Sequence, residues 1–145
     1  MTVLPFRRGD VLADVLRQSD YLVITLSLND TTRGLIGARE LASMKPSAFL
    51  VNVARAQIVD EGALYHALAK RVIAGAALDV WYRYPIDATP TPPARQPFHE
   101  LPNVLMTPHC SGFTEGTADR RWGDLAANLD RFVRGENLHN LVLKT

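Results

Sequence analysis

The segment 49–70 constrains the fold most, because its pattern predicts a buried strand that leads directly into a helix. Residues 49–53 form a mainly apolar run, which is typical of a strand covered on both faces. Asp60 precedes an amphipathic stretch and predicts the N-cap of a helix that ends near Lys70. Arg55 lies between these elements, just past the carboxyl end of the strand, where open α/β sheets bind ligands. A lone arginine in a turn is most often a solvated loop residue, so its neighbours must decide its role.

The rest of the chain repeats this alternation of strands and helices. We expect strands at 21–26, 74–80 and 103–106, helices at 11–18, 38–44 and 114–134, and a proline-rich surface loop at 81–102. Asp10 is the expected cap of the first helix, the first strand is expected to be fully buried, and Trp122 is expected in the core. This order predicts an α/β fold with a mostly parallel sheet and flanking helices, a partial Rossmann-like three-layer fold. Residues 1–145 are expected to form a single domain.

Composition excludes several classes of protein. A net charge of +1 provides no basic surface for nucleic acid, and no apolar run approaches the length of a membrane span. Cys110 is the only cysteine, so an internal disulfide is impossible, and we interpret it as a small buried thiol rather than a nucleophile paired with His109. The histidines have no metal-ligand spacing. We therefore expect a soluble, cytoplasmic protein without a metal site.

Three potentially reactive side chains follow three different predicted strands. Arg55, Asp79 and His109 each come at or just past a strand's end. Right-handed crossovers place the carboxyl ends of parallel strands along one edge of a sheet, so these residues are expected to converge. This convergence favours a functional role for Arg55.

A set of short motifs occurs in order from about residue 11 to residue 141. They are Ser19-Asp20-Tyr21-Leu22-Val23, Thr31-Thr32-Arg33-Gly34-Leu35-Ile36, Met44-Lys45-Pro46, Asn52-Val53-Ala54-Arg55-Ala56, Gly75-Ala76-Ala77-Leu78-Asp79-Val80, Pro102-Asn103-Val104 and Thr107-Pro108-His109. In order and spacing, the set resembles the NAD-binding domain of the D-isomer-specific 2-hydroxyacid dehydrogenases. The resemblance implies hydride transfer between NAD or NADP and a small 2-keto or 2-hydroxy acid.

The resemblance also implies roles for particular residues. Arg55 corresponds to the arginine that binds the substrate carboxylate and polarises the keto oxygen, a task that suits a planar, permanently charged guanidinium. His109 corresponds to the residue that carries the proton, because imidazole titrates near neutrality. The implied cofactor-binding positions are Asp79 near the nicotinamide carboxamide, Val53, Ala54, Ser111 and Gly112 along the nicotinamide pocket, and Ser27, Leu28 and Thr32 beside the adenosine and phosphates.

The sequence departs from the family pattern at two places. The family pairs its histidine with a glutamate, and Tyr84 stands at that position here, five residues after Asp79. A tyrosine can hydrogen-bond to an imidazole but supplies no negative charge, and Asp87 could act as a substitute carboxylate. The second departure is that no Gly-x-Gly-x-x-Gly motif, which places a pyrophosphate on a helix N-terminus, occurs in these residues.

The second departure determines the functional prediction. We expect the chain to be the second half of a Rossmann-type NAD-binding domain, with the glycine-rich first half and the substrate domain absent. The predicted function is that of the NAD(P)-binding domain of a D-2-hydroxyacid dehydrogenase-like oxidoreductase. The alternative is a non-catalytic remnant, or a subunit whose cofactor site a partner chain completes. Without a preceding strand, strand 21–26 would be an exposed apolar edge, which predicts a homo-oligomer or a partner chain at that edge.

Overall fold

A computed structural model of the protein describes residues 12–87 and 89–141. The strands are β1 (Tyr21–Ile24), β2 (Phe49–Asn52), β3 (Gly75–Leu78) and β4 (Val104–Met106), and the helices are α1 (Leu12–Gln18), α2 (Ala38–Ala42), α3 (Glu61–Ala69) and α4 (Thr117–Val133). Short 3-10 helices span Ala56–Ile58 and Phe98–Glu100, and the second interrupts the predicted loop. The order of the predicted strands and helices is confirmed. The predicted cap of α1, Asp10, lies outside the described residues.

The four strands form one parallel sheet in the order β1-β2-β3-β4. The predicted α/β fold with a parallel sheet is therefore confirmed. Because the strands all run in the same direction, the loops that follow them emerge at one edge of the sheet. Among the described helices, none combines the length and the apolar character needed to cross a membrane.

The chain divides into two compact units after Ser111. The first unit contains the sheet and α1 to α3, and the second contains α4. That all 145 residues form one domain stays a prediction.

The core of the first unit is built from the apolar faces that the sequence predicts for α3 and β2. Leu64 and Leu68 of α3 and Leu50 of β2 are fully buried, together with Phe98 from the 81–102 loop. Asp60 caps α3 as predicted, because its Oδ1 accepts a hydrogen bond from the Ala63 N–H at 2.7 Å. The 49–70 segment thus has the predicted strand, turn and helix.

Three predictions of burial are wrong. Tyr21 and Val23 of β1 are each 54% exposed, because β1 is the end strand of the described sheet and the face bearing them is uncovered. Cys110 is exposed rather than buried. Trp122 is 70% exposed, and no residue of α4 is buried. The apolar period of α4 identifies one face of the helix, but a period does not show whether anything covers that face.

Gly75 begins β3 where there is no room for a side chain. A Cβ at this position would lie 2.6 Å from the Asn103 carbonyl oxygen and 2.9 Å from Cε1 of Phe49. Asn103 cannot easily move, because its Nδ2 donates to the carbonyl oxygens of Leu68 and Ala74 at 3.2 and 3.1 Å. We therefore expect Gly75→Ala to lower the free energy of unfolding by about 2 kcal/mol, measured by urea denaturation.

Gly62→Ala is the matched control in the same unit. Its added Cβ would lie 3.6 Å from the nearest atom, Oδ1 of Asp60, which is an ordinary contact. A helix accepts alanine more readily than glycine, so this variant is expected to lose no stability. Equal urea midpoints for the two variants would contradict the packing argument.

Candidate active site

The three predicted reactive residues follow three neighbouring strands of the sheet. Arg55 follows β2, Asp79 follows β3 and His109 follows β4, and β3 pairs with both of the other strands. Neighbouring strands are about 4.8 Å apart, which places the ends of β2 and β4 about 10 Å from each other. The loops that carry Arg55, Asp79 and His109 therefore lie at one edge of the sheet, where α/β proteins bind ligands.

Arg55 borders a cleft of about 530 Å³ at the carboxyl ends of β1 and β2. The cleft is lined by Thr25, Leu26, Ser27, Leu28, Val53, Ala54 and Arg55. It therefore contains four of the predicted cofactor-binding positions, together with the predicted substrate-binding arginine. Its volume is within the range of sites that hold small molecules.

A buried asparagine at the end of β2 shapes the turn that carries Arg55. Asn52 is 2% exposed; its Oδ1 accepts from the Ala54 N–H at 3.1 Å, and its Nδ2 donates to the Arg55 carbonyl oxygen at 3.0 Å. Asn52 is not among the predicted site residues. The available signal was a polar residue at the end of an apolar run, because a buried amide must find partners.

Thr32 supports the loop that lines the cleft without lining it itself. Its Oγ1 donates to the Ser27 carbonyl oxygen at 2.8 Å and accepts from the Asn29 N–H at 2.8 Å. These bonds close the turn after β1 and position Ser27 and Leu28. A contact between Thr32 and a cofactor stays a prediction.

Asp79 is a buried carboxylate whose two oxygens both accept hydrogen bonds from the loop after β4. Oδ1 accepts from Thr107 Oγ1 at 2.5 Å and the Cys110 N–H at 2.9 Å. Oδ2 accepts from the Ser111 N–H at 3.0 Å and Ser111 Oγ at 2.6 Å. Burial by itself raises the pKa of a carboxyl group, but the hydrogen bonds from Ser111, Thr107 and Cys110 outweigh it and hold the pKa of Asp79 well below its usual range.

This arrangement gives Asp79 a clear structural role. The family resemblance implies a contact with a nicotinamide carboxamide, and that contact stays a prediction. The observed bonds anchor the 107–111 loop, which contains His109 and Ser111. Gly112 begins the second unit, and its predicted place beside a nicotinamide also stays a prediction.

His109 lies within this anchored loop with a left-handed backbone, φ +58°. Few residues other than glycine adopt that conformation, and those that do occur often at functional sites. Its Nδ1 is 2.9 Å from Tyr84 Oη, so the tyrosine at the family's glutamate position does meet the histidine. Asp87 accepts a hydrogen bond from the Thr89 N–H at 2.8 Å, within its own loop.

Trp81 ties the tyrosine to the same loop. Its backbone N–H donates to Tyr84 Oη at 3.0 Å, and its indole Nε1 donates to the Thr107 carbonyl oxygen at 2.9 Å. Trp81 is buried and Tyr82 stacks on Phe98, so both pack the loop against the domain, whereas Tyr84 faces His109.

Across residues 12–87 and 89–141, no group of three or more histidine, cysteine or acidic residues is arranged to hold a metal ion.

The fold and the edge residues together define a Rossmann-like α/β domain with a candidate site at the carboxyl ends of its strands. Residues 5–111 match the family described as D-isomer specific 2-hydroxyacid dehydrogenase, NAD binding domain. The chain belongs to this family. The resemblance predicted from the ordered motifs is therefore confirmed.

Individual relatives agree with this assignment. The chain is 41% identical to glyoxylate/hydroxypyruvate reductase B of Pectobacterium carotovorum over 90% of its own length and 39% of the relative's. It is 44% identical to glyoxylate reductase of Aeropyrum pernix, again over 90% of its length and 37% of the relative's. The chain thus spans well under half the length of these curated relatives.

Solved structures show the same fold. The NAD-complexed D-isomer specific 2-hydroxyacid dehydrogenase of Lactobacillus delbrueckii ssp. bulgaricus superposes with a TM-score of 0.80 at 30% identity, over 90% of this chain and 42% of that one. The D-isomer specific 2-hydroxyacid dehydrogenase of Xanthobacter autotrophicus Py2, in complex with NADPH and MES, gives a TM-score of 0.75 at 34% identity, over 91% of this chain and 51% of that one.

Proposed function

We propose that this chain forms the substrate-binding and proton-transfer side of a nicotinamide-dependent site that reduces a small 2-keto acid. The observation that carries the proposal is the position of Arg55 on a cleft at the same sheet edge as the anchored His109 loop. The family is NAD-binding, and the two solved structures described above hold NADPH and NAD. The cleft provides Ser27, Leu28, Val53 and Ala54 as the residues that would hold such a cofactor.

The side chains on this edge have complementary tasks. The guanidinium of Arg55 can bind a carboxylate through two parallel hydrogen bonds and remains charged at working pH. His109 can donate a proton to the carbonyl oxygen. A bound nicotinamide would supply the hydride. Asp79 and Tyr84 hold His109 in position, through its loop and its ring respectively.

The relatives' names suggest the substrate for a first assay. Glyoxylate is the smallest 2-keto acid, and two relatives are named glyoxylate reductase or glyoxylate/hydroxypyruvate reductase. The full chain would be titrated with NADH and NADPH by calorimetry, and then tested for glyoxylate reduction by the loss of nicotinamide absorbance. Cofactor binding by the chain supports the proposal.

Two variants test whether binding uses the cleft. Val53→Trp fills the cleft and is expected to abolish cofactor binding, whereas Leu105→Trp, at an exposed position of β4 outside the cleft, is expected to preserve it. If neither cofactor binds, alone or with a partner chain that carries a Gly-x-Gly-x-x-Gly segment, the proposal is wrong and the chain is a non-catalytic remnant.

Among the residues that the structure describes, nothing pairs with the outer edge of β1, which favours a second candidate, a subunit that another chain completes. Within the described sheet β1 pairs with β2 alone, and Tyr21 and Val23 are more than half exposed. Such an edge is a template for strand pairing. We expect the chain to self-associate at micromolar concentration, measured by light scattering, and Val23→Lys to reduce the association because a charge opposes pairing. Ile86→Lys, at an exposed apolar position of the 81–102 loop outside both end strands, is the control, and a monomeric wild type would contradict self-association.

A further inference from the structure

We propose that Tyr84 is a positioning residue that holds the neutral ring of His109 in the tautomer whose hydrogen is on Nε2. The inference about the tautomer depends only on contacts within this chain. Its meaning for a reaction rests on the proposed function.

The hydrogen bonds at Tyr84 Oη decide which atom donates. The Trp81 backbone N–H, 3.0 Å away, can only donate, so it takes an acceptor position on the phenolic oxygen. The hydroxyl hydrogen then needs an acceptor, and His109 Nδ1 lies 2.9 Å from the oxygen. The bonds therefore run from the Trp81 N–H to Tyr84 and from the Tyr84 hydroxyl to Nδ1. Each bond polarises the next in such a chain.

The opposite tautomer fits this geometry poorly. With its hydrogen on Nδ1, the ring would become a second donor to a phenolic oxygen that already accepts from Trp81. The hydroxyl hydrogen would also lose its acceptor on the ring. A carboxylate at this position would behave in the opposite way, because it can only accept and so favours a hydrogen on Nδ1.

The tautomer determines what the free ring nitrogen offers a substrate. Because Nδ1 faces Tyr84, Nε2 is the nitrogen that remains for a ligand. A hydrogen on Nε2 can be donated as a hydrogen bond to the carbonyl oxygen of a keto acid, which accepts. Transfer of that proton to the oxygen would also need a proton on Nδ1, because a neutral ring that gave up its Nε2 hydrogen would be left as an imidazolate. Oxidation of a hydroxy acid needs Nε2 as an acceptor for the hydroxyl proton, which this tautomer does not provide. Tyr84 thus adapts the site to bind the keto acid.

Nitrogen-15 NMR of the full chain tests the inference without cofactor or substrate. Long-range proton–nitrogen correlation distinguishes the two tautomers of neutral histidine, and the His109 signals are identified by their loss in His109→Asn. We expect a hydrogen on Nε2 in the wild type, a mixture of tautomers in Tyr84→Phe and a hydrogen on Nδ1 in Tyr84→Glu. The Trp81 amide resonance should shift in Tyr84→Phe because its acceptor is gone.

Tyr82→Phe is the matched control, since it removes a hydroxyl from the same loop that bonds to the Val59 carbonyl oxygen instead. It should leave the His109 signals unchanged. A wild-type ring with its hydrogen on Nδ1, or equal tautomer populations in the wild type and Tyr84→Phe, would overturn the inference. If either of these results is found and the chain still binds cofactor, the proposed function stands. If the expected tautomers are found but cofactor does not bind, alone or with the partner chain, only the proposed function is overturned.

Discussion

Replacing Asp79 by asparagine is expected to lower the free energy of unfolding at pH 7 by about 3 kcal/mol. Asp79 is 3% exposed and accepts four hydrogen bonds, from Thr107, Cys110 and both donors of Ser111. An asparagine can accept only on one oxygen, and its amide group would face donors that the carboxylate now satisfies. Denaturant unfolding measures the loss of stability. Amide hydrogen exchange at Cys110 and Ser111 should accelerate more than in the sheet, because these N–H groups lose their acceptor.

The same carboxylate predicts how stability depends on pH. The folded-state pKa of Asp79 lies below its ordinary value of 3.8, so its contribution is complete above that pH and is lost as the pH falls towards the lower folded-state pKa. The difference in stability between the wild type and Asp79→Asn should therefore shrink below about pH 4. Asp87→Asn is the control, because Asp87 is exposed and accepts from the Thr89 N–H in its own turn. If amide hydrogen exchange at Cys110 and Ser111 is unchanged in Asp79→Asn, then Asp79 does not anchor the 107–111 loop.

The strands, the α3 cap and the position of Arg55 were predictable because their signals are local. An apolar run identifies β2, and an aspartate before an amphipathic stretch identifies the N-cap, whatever the rest of the chain does. Parallel strands then place Arg55, Asp79 and His109 along one edge without further information. The family resemblance, which assigns position 84 to the partner of the histidine, pointed to the contact between Tyr84 and His109.

The partners of Asp79 were not predictable, because they depend on one unusual backbone conformation. The positive φ of His109 turns the chain so that the N–H groups of Cys110 and Ser111 point at Asp79, while the Cys110 thiol is exposed. An extended segment with alternating side chains, which the sequence suggests, would not do this. The exposure of Trp122 shows a similar limit, since periodicity defines a face of α4 but not what covers it.

Replacing Arg55 by lysine is expected to lower kcat/KM for the 2-keto acid by about 100-fold, which corresponds to roughly 3 kcal/mol of transition-state stabilisation. Lysine keeps the positive charge but loses the planar pair of donors that matches a carboxylate. Arg55 Nη1 donates to the Ala54 carbonyl oxygen at 2.7 Å, which fixes one side of the guanidinium next to the cleft. A lysine cannot make that bond and also present two parallel donors to a substrate.

Under the proposed function, steady-state kinetics of keto-acid reduction by the full chain, together with calorimetry of cofactor binding, separate the two possible roles of Arg55. If Arg55 binds the substrate, kcat/KM falls while the dissociation constant for NADH stays the same. If Arg55 mainly shapes the cleft, cofactor binding weakens in parallel with the rate. Arg39→Lys is the matched control, because Arg39 is an exposed arginine on α2 that pairs with Glu40 and lies outside the cleft. A kcat/KM for Arg55→Lys within about twofold of that for Arg39→Lys would show that the guanidinium does not bind the substrate carboxylate, since a lost bidentate pair changes the rate far more than this.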